Sequence, residues 1–213
     1  MEALHPEDKK REIIEAAIKR FSHFGIAKTT LSEIADDLQI SKANLYYYFQ
    51  DKWTLLETIV EVLMEETGGR IEEIFQHYKG VTQQLQRILE IKFILMEKYK
   101  LLTLNLNDAN VMYSRVLDPK FRKISAKVFE MECSMVKQVL EQGIKSGELE
   151  TIDVLKTSKL YVTTIRGLCV SGIYANPSPI VEMDTIKAIH KQQMLLTKIF
   201  VNGIIREKIT TEQ

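Results

Sequence analysis

The chain has 213 residues, 45% hydrophobic and 27% charged, with 29 Lys and Arg against 29 Asp and Glu. That is ordinary globular composition with enough apolar residues for a sizeable core. No run reaches the roughly eighteen apolar residues of a membrane span, the N-terminus has no apolar h-region, and zero net charge gives no bulk preference for nucleic acid.

The elements read as helices almost throughout, and no stretch shows the period-two alternation of a strand. A first helix is expected from Pro6 to Phe24, with Ile13, Ala16, Ala17, Phe21 and Phe24 as its apolar stripe and Gly25 as its stop. Thr30 caps a short second helix, and Glu33 completes a capping box. Ser41 caps a very short third helix reaching Tyr48 or Phe49, and Asp51 caps a long fourth from Lys52 to about Tyr78. Further helices are expected near 82–99, 104–115, 119–146, 152–175 and 184–207, with Pro119 a start, Gly147 a stop and "NPSP" at 176–179 a break. The internal boundary is placed inside the fourth helix near Gly68-Gly69, giving domains 7–67 and 68–213.

Three short helices in the first fifty residues, the last two joined by a tight turn, suggest a helix-turn-helix. On the third helix Leu45, Tyr48 and Phe49 share one face and are expected to pack inward against Ile34, Leu38 and Phe21. Lys42, Ala43, Asn44, Tyr46 and Tyr47 occupy the other face. Asn can bond an adenine edge, Lys a guanine or a phosphate, and Ala permits close approach to a thymine methyl. The two tyrosine hydroxyls and Lys52 suit phosphates. The competing reading is a rim of half-buried tyrosines on an ordinary surface helix. Residues 1–52 hold eight Lys or Arg against nine Asp or Glu, so the local charge does not favour DNA.

The stretch "KTTLSEIADDLQISKANLYYYFQDKWTLLE" resembles the TetR family of bacterial transcriptional regulators, whose signature runs roughly T-T-x-x-x-I-A-x-x-x-x-x-S-x-x-x-L-Y-x-Y-F-x-x-K-x-x-L. Thr29, Thr30, Ile34, Ala35, Ser41, Leu45, Tyr46, Tyr48, Phe49, Lys52 and Leu55 match it, and Ala16, Phe21 and Gly25 fit the family's first helix. The resemblance covers about residues 8 to 65. It implies an all-α protein in which an N-terminal helix-turn-helix bundle is joined by a long helix to a larger C-terminal ligand-binding and dimerisation domain. It also implies a homodimer on a near-palindromic double-stranded DNA operator, in most members a repressor released by a small-molecule inducer. By the same resemblance Thr30 and Ser41 contact phosphates, Lys42, Ala43, Asn44 and Tyr46 approach bases, and Tyr47 and Lys52 contact the backbone. Ala43 and Asn44 depart from the family's common Gly and Thr or Ser, which bears on the operator sequence.

In the C-terminal two-thirds the last two helices carry apolar arcs wider than one core face requires. The family pairs them across a two-fold axis, and Leu155, Val162, Ile165, Cys169, Leu196, Ile199 and Phe200 are the expected interface. Phe93, Met96, Tyr99, Met112, Tyr113, Phe129 and Tyr161 are pocket candidates by type and region, against the plainer reading that they are core. Arg166, on a mostly apolar helix, is expected to bind an anionic ligand or to pair with a carboxylate at the dimer seam, the second being favoured.

Cys133 and Cys169 have no metal or C-x-x-C spacing and fit buried free thiols in a cytoplasmic protein. No cofactor or metal motif is present. His5, His23, His77 and His190 are scattered, and there is no P-loop or G-x-S-x-G elbow, so an enzyme is not expected. The rival to a DNA-binding regulator is a helical protein-interaction module that has lost DNA binding. The lack of excess positive charge is its best support.

Overall fold

The computed structural model describes residues 6–26, 28–99, 119–175 and 182–205. Among them are eight helices: α1 (Pro6–Phe24), α2 (Leu31–Asp37), α3 (Lys42–Tyr48), α4 (Lys52–His77), α5 (Val81–Lys98), α6 (Pro119–Lys145), α7 (Val154–Tyr174) and α8 (Met183–Asn202). The fold is all-α. The chain divides into two compact units, one of Met1–Glu66 with Leu95–Ala126 and one of Thr67–Ile94 with Lys127–Gln213. The helices α4, α5 and α6 each begin in one unit and end in the other.

The first unit is built on short-range chemistry. Gly25 has φ 79° and ends α1 by donating to the Phe21 carbonyl at 3.0 Å. The Thr30 hydroxyl accepts from the Glu33 amide while the Glu33 carboxylate accepts from the Thr30 amide, the reciprocal cap anticipated from the sequence. Gln39 makes the turn after α2 at φ 53°. Asp51 opens α4 by accepting from the amides of Trp53 and Thr54, each at 2.9 Å. Ile13, Ala17, Phe21, Ile26, Ile34, Ala35, Leu45, Phe49, Leu55, Leu56 and Ile59 fill the core. Burying each of the larger ones contributes about 1.5–3 kcal/mol before entropy is counted. Arg20 ties α1 to α2, with Nη1 on Asp37 Oδ2 at 2.6 Å and Nη2 on Glu33 at 3.2 Å.

Phe24 departs from its expected place in the α1 stripe. It is 51% exposed, with the His23 ring edge-on at 4.5 Å and the Arg20 guanidinium 5.0 Å from its ring centre. The last turn of α1 has outrun the core that Phe21 closes.

In the second unit the start of α5 is capped from far along the chain. Gly80, at φ 91°, exposes the Val81 amide, which donates to Glu148 Oε1 at 3.0 Å and Oε2 at 3.1 Å. Gly147 ends the loop after α6 at φ 76°. Asp153 caps α7 through the Lys156 amide at 3.0 Å. The final helix ends at Asn202, short of the expected 207, and the chain turns through Gly203. The Glu150 amide then donates to the Ile204 carbonyl at 3.2 Å beside a single Leu149–Ile205 bridge. Gly68-Gly69 does not interrupt α4. The helix expected near 104–115 lies outside the described residues.

Candidate nucleic-acid interface

The helices α2 and α3 pack as a pair, and their apolar residues decide which face of α3 is left over. Leu45 and Phe49 are fully buried. Because α3 is only seven residues long, one core face leaves Lys42, Ala43, Asn44, Tyr46 and Tyr47 outside, and all five are exposed. Tyr47 is 83% exposed, the largest exposure among the large hydrophobic residues described. Tyr48 was expected inside with Leu45 and Phe49 but is only half-buried. Its ring meets Tyr47 edge-on at 5.2 Å, so it braces Tyr47 as well as touching the core. Lys42, Tyr46 and Tyr47 form no hydrogen bond or ion pair among the described residues.

The polar residues around α3 divide between holding the motif and presenting it. The Ser41 hydroxyl accepts from the Asn44 amide at 3.1 Å, so it caps the helix while remaining exposed. The Thr30 hydroxyl also donates to the Glu33 carboxylate at 2.8 Å. That bond, with the Thr30 amide and Arg20, holds the Glu33 carboxyl below its usual range. Lys52 differs most from expectation. Its ammonium donates to the carbonyls of Ile26 at 3.1 Å and Thr29 at 3.3 Å, and it lies 5.4 Å from the Trp53 ring centre. Sequence alone marked Lys52 as a backbone contact; the structure shows it fastening the α1–α2 loop to the start of α4. The resulting surface is small, aromatic and hydroxyl-bearing, with Lys42 as its cation on α3, and it fits hydrogen bonding to base edges and phosphates.

Residues 13–59 match the model of the bacterial regulatory proteins of the tetR family. The chain belongs to the tetR family. A relative from Bacillus subtilis, the HTH-type transcriptional regulator YhgD, is 28% identical over 166 residues, spanning 74% of this chain and 83% of its own. A transcriptional regulator from Cytophaga hutchinsonii has the same fold, with TM-score 0.75 and 24% identity over 93% of this chain and 99% of the other. So does the Bacillus subtilis regulator FadR, solved with stearoyl-CoA, at TM-score 0.71 and 18% identity over 91% and 98%. This tetR-family chain is therefore a transcriptional regulator with a helix-turn-helix DNA-binding domain.

The regulator's second unit treats the other candidates unevenly. Of the expected interface residues, Val162, Ile165 and Cys169 are buried within this unit and belong to its core. Leu196 and Phe200 are half-buried, and Phe200 lies against Tyr161 at 4.9 Å. Leu155 and Ile199 are more than half exposed, as are Leu160 and Leu195, which the expected interface did not include. The arc on each helix is wide because one side faces the core and the other faces out. Missing was a helical-wheel split of those arcs: Leu160 and Leu195 fall opposite Val162 and Thr197.

Among the pocket candidates, Met112 and Tyr113 lie outside the described residues. Phe93 stacks on His190 at 4.6 Å, Phe129 sits under the Arg166 guanidinium at 5.1 Å, and Tyr99 lies 4.8 Å from Lys98 Nζ. Tyr161 is buried with its hydroxyl 2.7 Å from that of Thr197, and burial pushes its ionisation up. Met96 and Tyr99 fall in the first unit. None of these residues lines the cavity of about 300 Å3 formed by Arg70, Glu73, Ile74, His77, Tyr78, Arg87 and Ile91. Arg166 pairs with Glu132 at 2.6 Å inside the protomer, which replaces the dimer-seam partner expected for it. Cys133 and Cys169 are free and buried, and burial raises both thiols. No described helix is long and apolar enough to cross a membrane.

Proposed function

We propose that this regulator is a ligand-released repressor that binds a near-palindromic operator as a homodimer. The observation that carries the DNA-reading role is the exposed face of α3, where Lys42, Asn44, Tyr46 and Tyr47 are presented while Leu45 and Phe49 anchor the helix. In this reading Lys42, Ala43, Asn44 and Tyr46 approach bases. Tyr47 and the cap residues Thr30 and Ser41 contact phosphates, and Lys52 acts chiefly by fixing the loop beside them.

The dimer reading rests on Leu155, Leu160, Leu195 and Ile199, four apolar side chains left more than half exposed on α7 and α8. Such residues on two neighbouring helices suit an isologous contact with a second copy, and a two-fold dimer presents two recognition helices to two half-sites. Ligand release is supported by the larger helical unit and by the stearoyl-CoA complex of the structurally similar FadR. Because α4 begins at the DNA-binding core with Trp53, Leu56 and Val60 and ends in the second unit, a shift of that helix is the proposed route from ligand to DNA.

The test uses the full chain on a mixed-sequence duplex at two salt concentrations. Wild-type affinity falls as salt rises, and Lys42→Ala and Tyr47→Ala weaken it. Affinity unchanged in both variants would favour the interaction-module reading. Leu160→Glu combined with Leu195→Glu gives a monomer by light scattering; a dimer that survives both changes would place the interface elsewhere.

A further inference from the structure

In the second unit one carboxylate serves two cations. Glu132 of α6 bonds Lys92 Nζ of α5 through Oε1 at 2.5 Å and Arg166 Nε of α7 through Oε2 at 2.6 Å. The side chain of Glu132 is 12% exposed, Lys92 30% and Arg166 24%. Among the described residues the cluster holds two cations and one carboxylate, an excess of one positive charge. A charge partly withdrawn from water without a counter-charge is costly, and a bound anion would offset that cost.

The geometry also leaves donors in place. Arg166 uses Nε on Glu132, and the Phe129 ring, one turn earlier on α6, lies 5.1 Å from the guanidinium carbon. With one edge and one face held, the guanidinium is fixed, and neither Nη group bonds a described residue. A planar, oriented guanidinium with a free edge beside an ammonium matches an oxyanion.

We propose that Lys92 and Arg166 form the head-group subsite for an organic oxyanion, a carboxylate or phosphate ester, and that this anion is the regulator's effector. The proposal rests on the ligand-released reading above and adds the sign of the effector's charge. Glu132 is the positioning residue: it holds the two cations together and competes with the ligand for them.

The experiment titrates the full chain with four probes sharing one tail: decanoate, decyl phosphate, decanol and decyltrimethylammonium. Binding is read by thermal midpoint and calorimetry. One or both anions bind, and which one does identifies the head group. Decanol and the cation bind at least about tenfold more weakly, the effect of losing charge-assisted hydrogen bonds. Arg166→Gln and Lys92→Gln each weaken the bound anion about tenfold or more, and Arg166→Lys recovers part of the loss. Glu132→Gln removes the competing carboxylate and tightens anion binding, an outcome a purely structural triad does not give. Where Glu132→Gln fails to fold, the two cation variants carry the test, with circular dichroism confirming their fold. The proposal is overturned if neither anion binds, if decanol binds as tightly as the anions, or if Arg166→Gln and Lys92→Gln bind like wild type. Anion binding that leaves DNA affinity unchanged would instead remove the ligand-release reading and keep the subsite.

Discussion

Lys120 of α6 donates to Asp51, the residue whose other carboxylate oxygen caps α4 immediately after α3. A second ion pair, Lys123 to Glu57 at 3.5 Å, lies three residues further along α6 and six further along the chain towards α4's interior. Burial pushes the Asp51 carboxyl up, but Lys120 and the amides of Thr54 and Trp53 outweigh it and hold the group below its usual range. The start of α6 is thus fastened to the base of the DNA-reading motif within the first unit.

The two partners of that bond are unequal. The Lys120 side chain is largely exposed, and an exposed ion pair contributes at most about 1 kcal/mol, so Lys120→Met has little effect on stability. Asp51→Ala removes the α4 cap as well and costs about 1–2 kcal/mol. Urea denaturation of the two variants checks this order. Equal losses would mean that the cap is not what Asp51 supplies.

Two helical glycines give opposite predictions for the same substitution. A Cβ at Gly68 meets nothing within 4 Å, so Gly68→Ala stabilises α4 by about 0.5–1 kcal/mol. A Cβ at Gly143 would lie 2.4 Å from Val81 Cγ2 and 2.9 Å from Leu149 Cδ1. The overpacking cost, about 1–3 kcal/mol, exceeds the propensity gain, and Gly143→Ala destabilises. Thermal melts of both variants decide the signs.

Gln39 holds the turn between α2 and α3 at φ 53°, a conformation that β-branched residues resist. Gln39→Val costs about 1–3 kcal/mol, whereas Gln39→Gly stays near neutral because relief of strain offsets the extra freedom of the unfolded chain. Denaturation midpoints of the pair test it, and a harmless Gln39→Val would show that the turn relaxes.

Acid should act through Glu132. Burial raises its carboxyl, but Lys92 and Arg166 outweigh burial and hold it below the ordinary value of 4.5. A depressed carboxyl contributes stability that is present above the unfolded value and lost as pH falls through the folded one. Stability therefore falls on acidification below about pH 5. Glu132→Gln loses less over that range, after a loss of stability at neutral pH from leaving the part-buried Lys92 and Arg166 without their shared carboxylate. Urea midpoints at pH 7 and pH 4 measure the difference, and parallel losses in both proteins would assign the acid response to other carboxylates.

Local chemistry made the first unit legible. The Thr30–Glu33 box, the Ser41 and Asp51 caps and the Gly25 stop are each written within a few residues, and each appears where its spacing places it. Tertiary choices were not written there. Periodicity marked Phe24 and Val162 as apolar but could not say that one lies outside the core and the other within it. Charge type marked Lys52 and Arg166 as cations; whether each meets solvent, a carbonyl or a carboxylate depends on elements 23 or more residues away, as Lys52 to Thr29 and Arg166 to Glu132 show. The Glu148 cap on Val81, at a separation of 67 residues, left no local signal at all.

The most direct test of the central claim is selection of bound sequences from a random duplex pool by the purified full chain. The expected result is an enriched inverted repeat with half-sites about one helical turn apart or a multiple of it, and loss of that enrichment in Tyr47→Ala. A folded protein that enriches no sequence, or one that Tyr47→Ala enriches equally well, would contradict the assignment of the exposed α3 face to DNA.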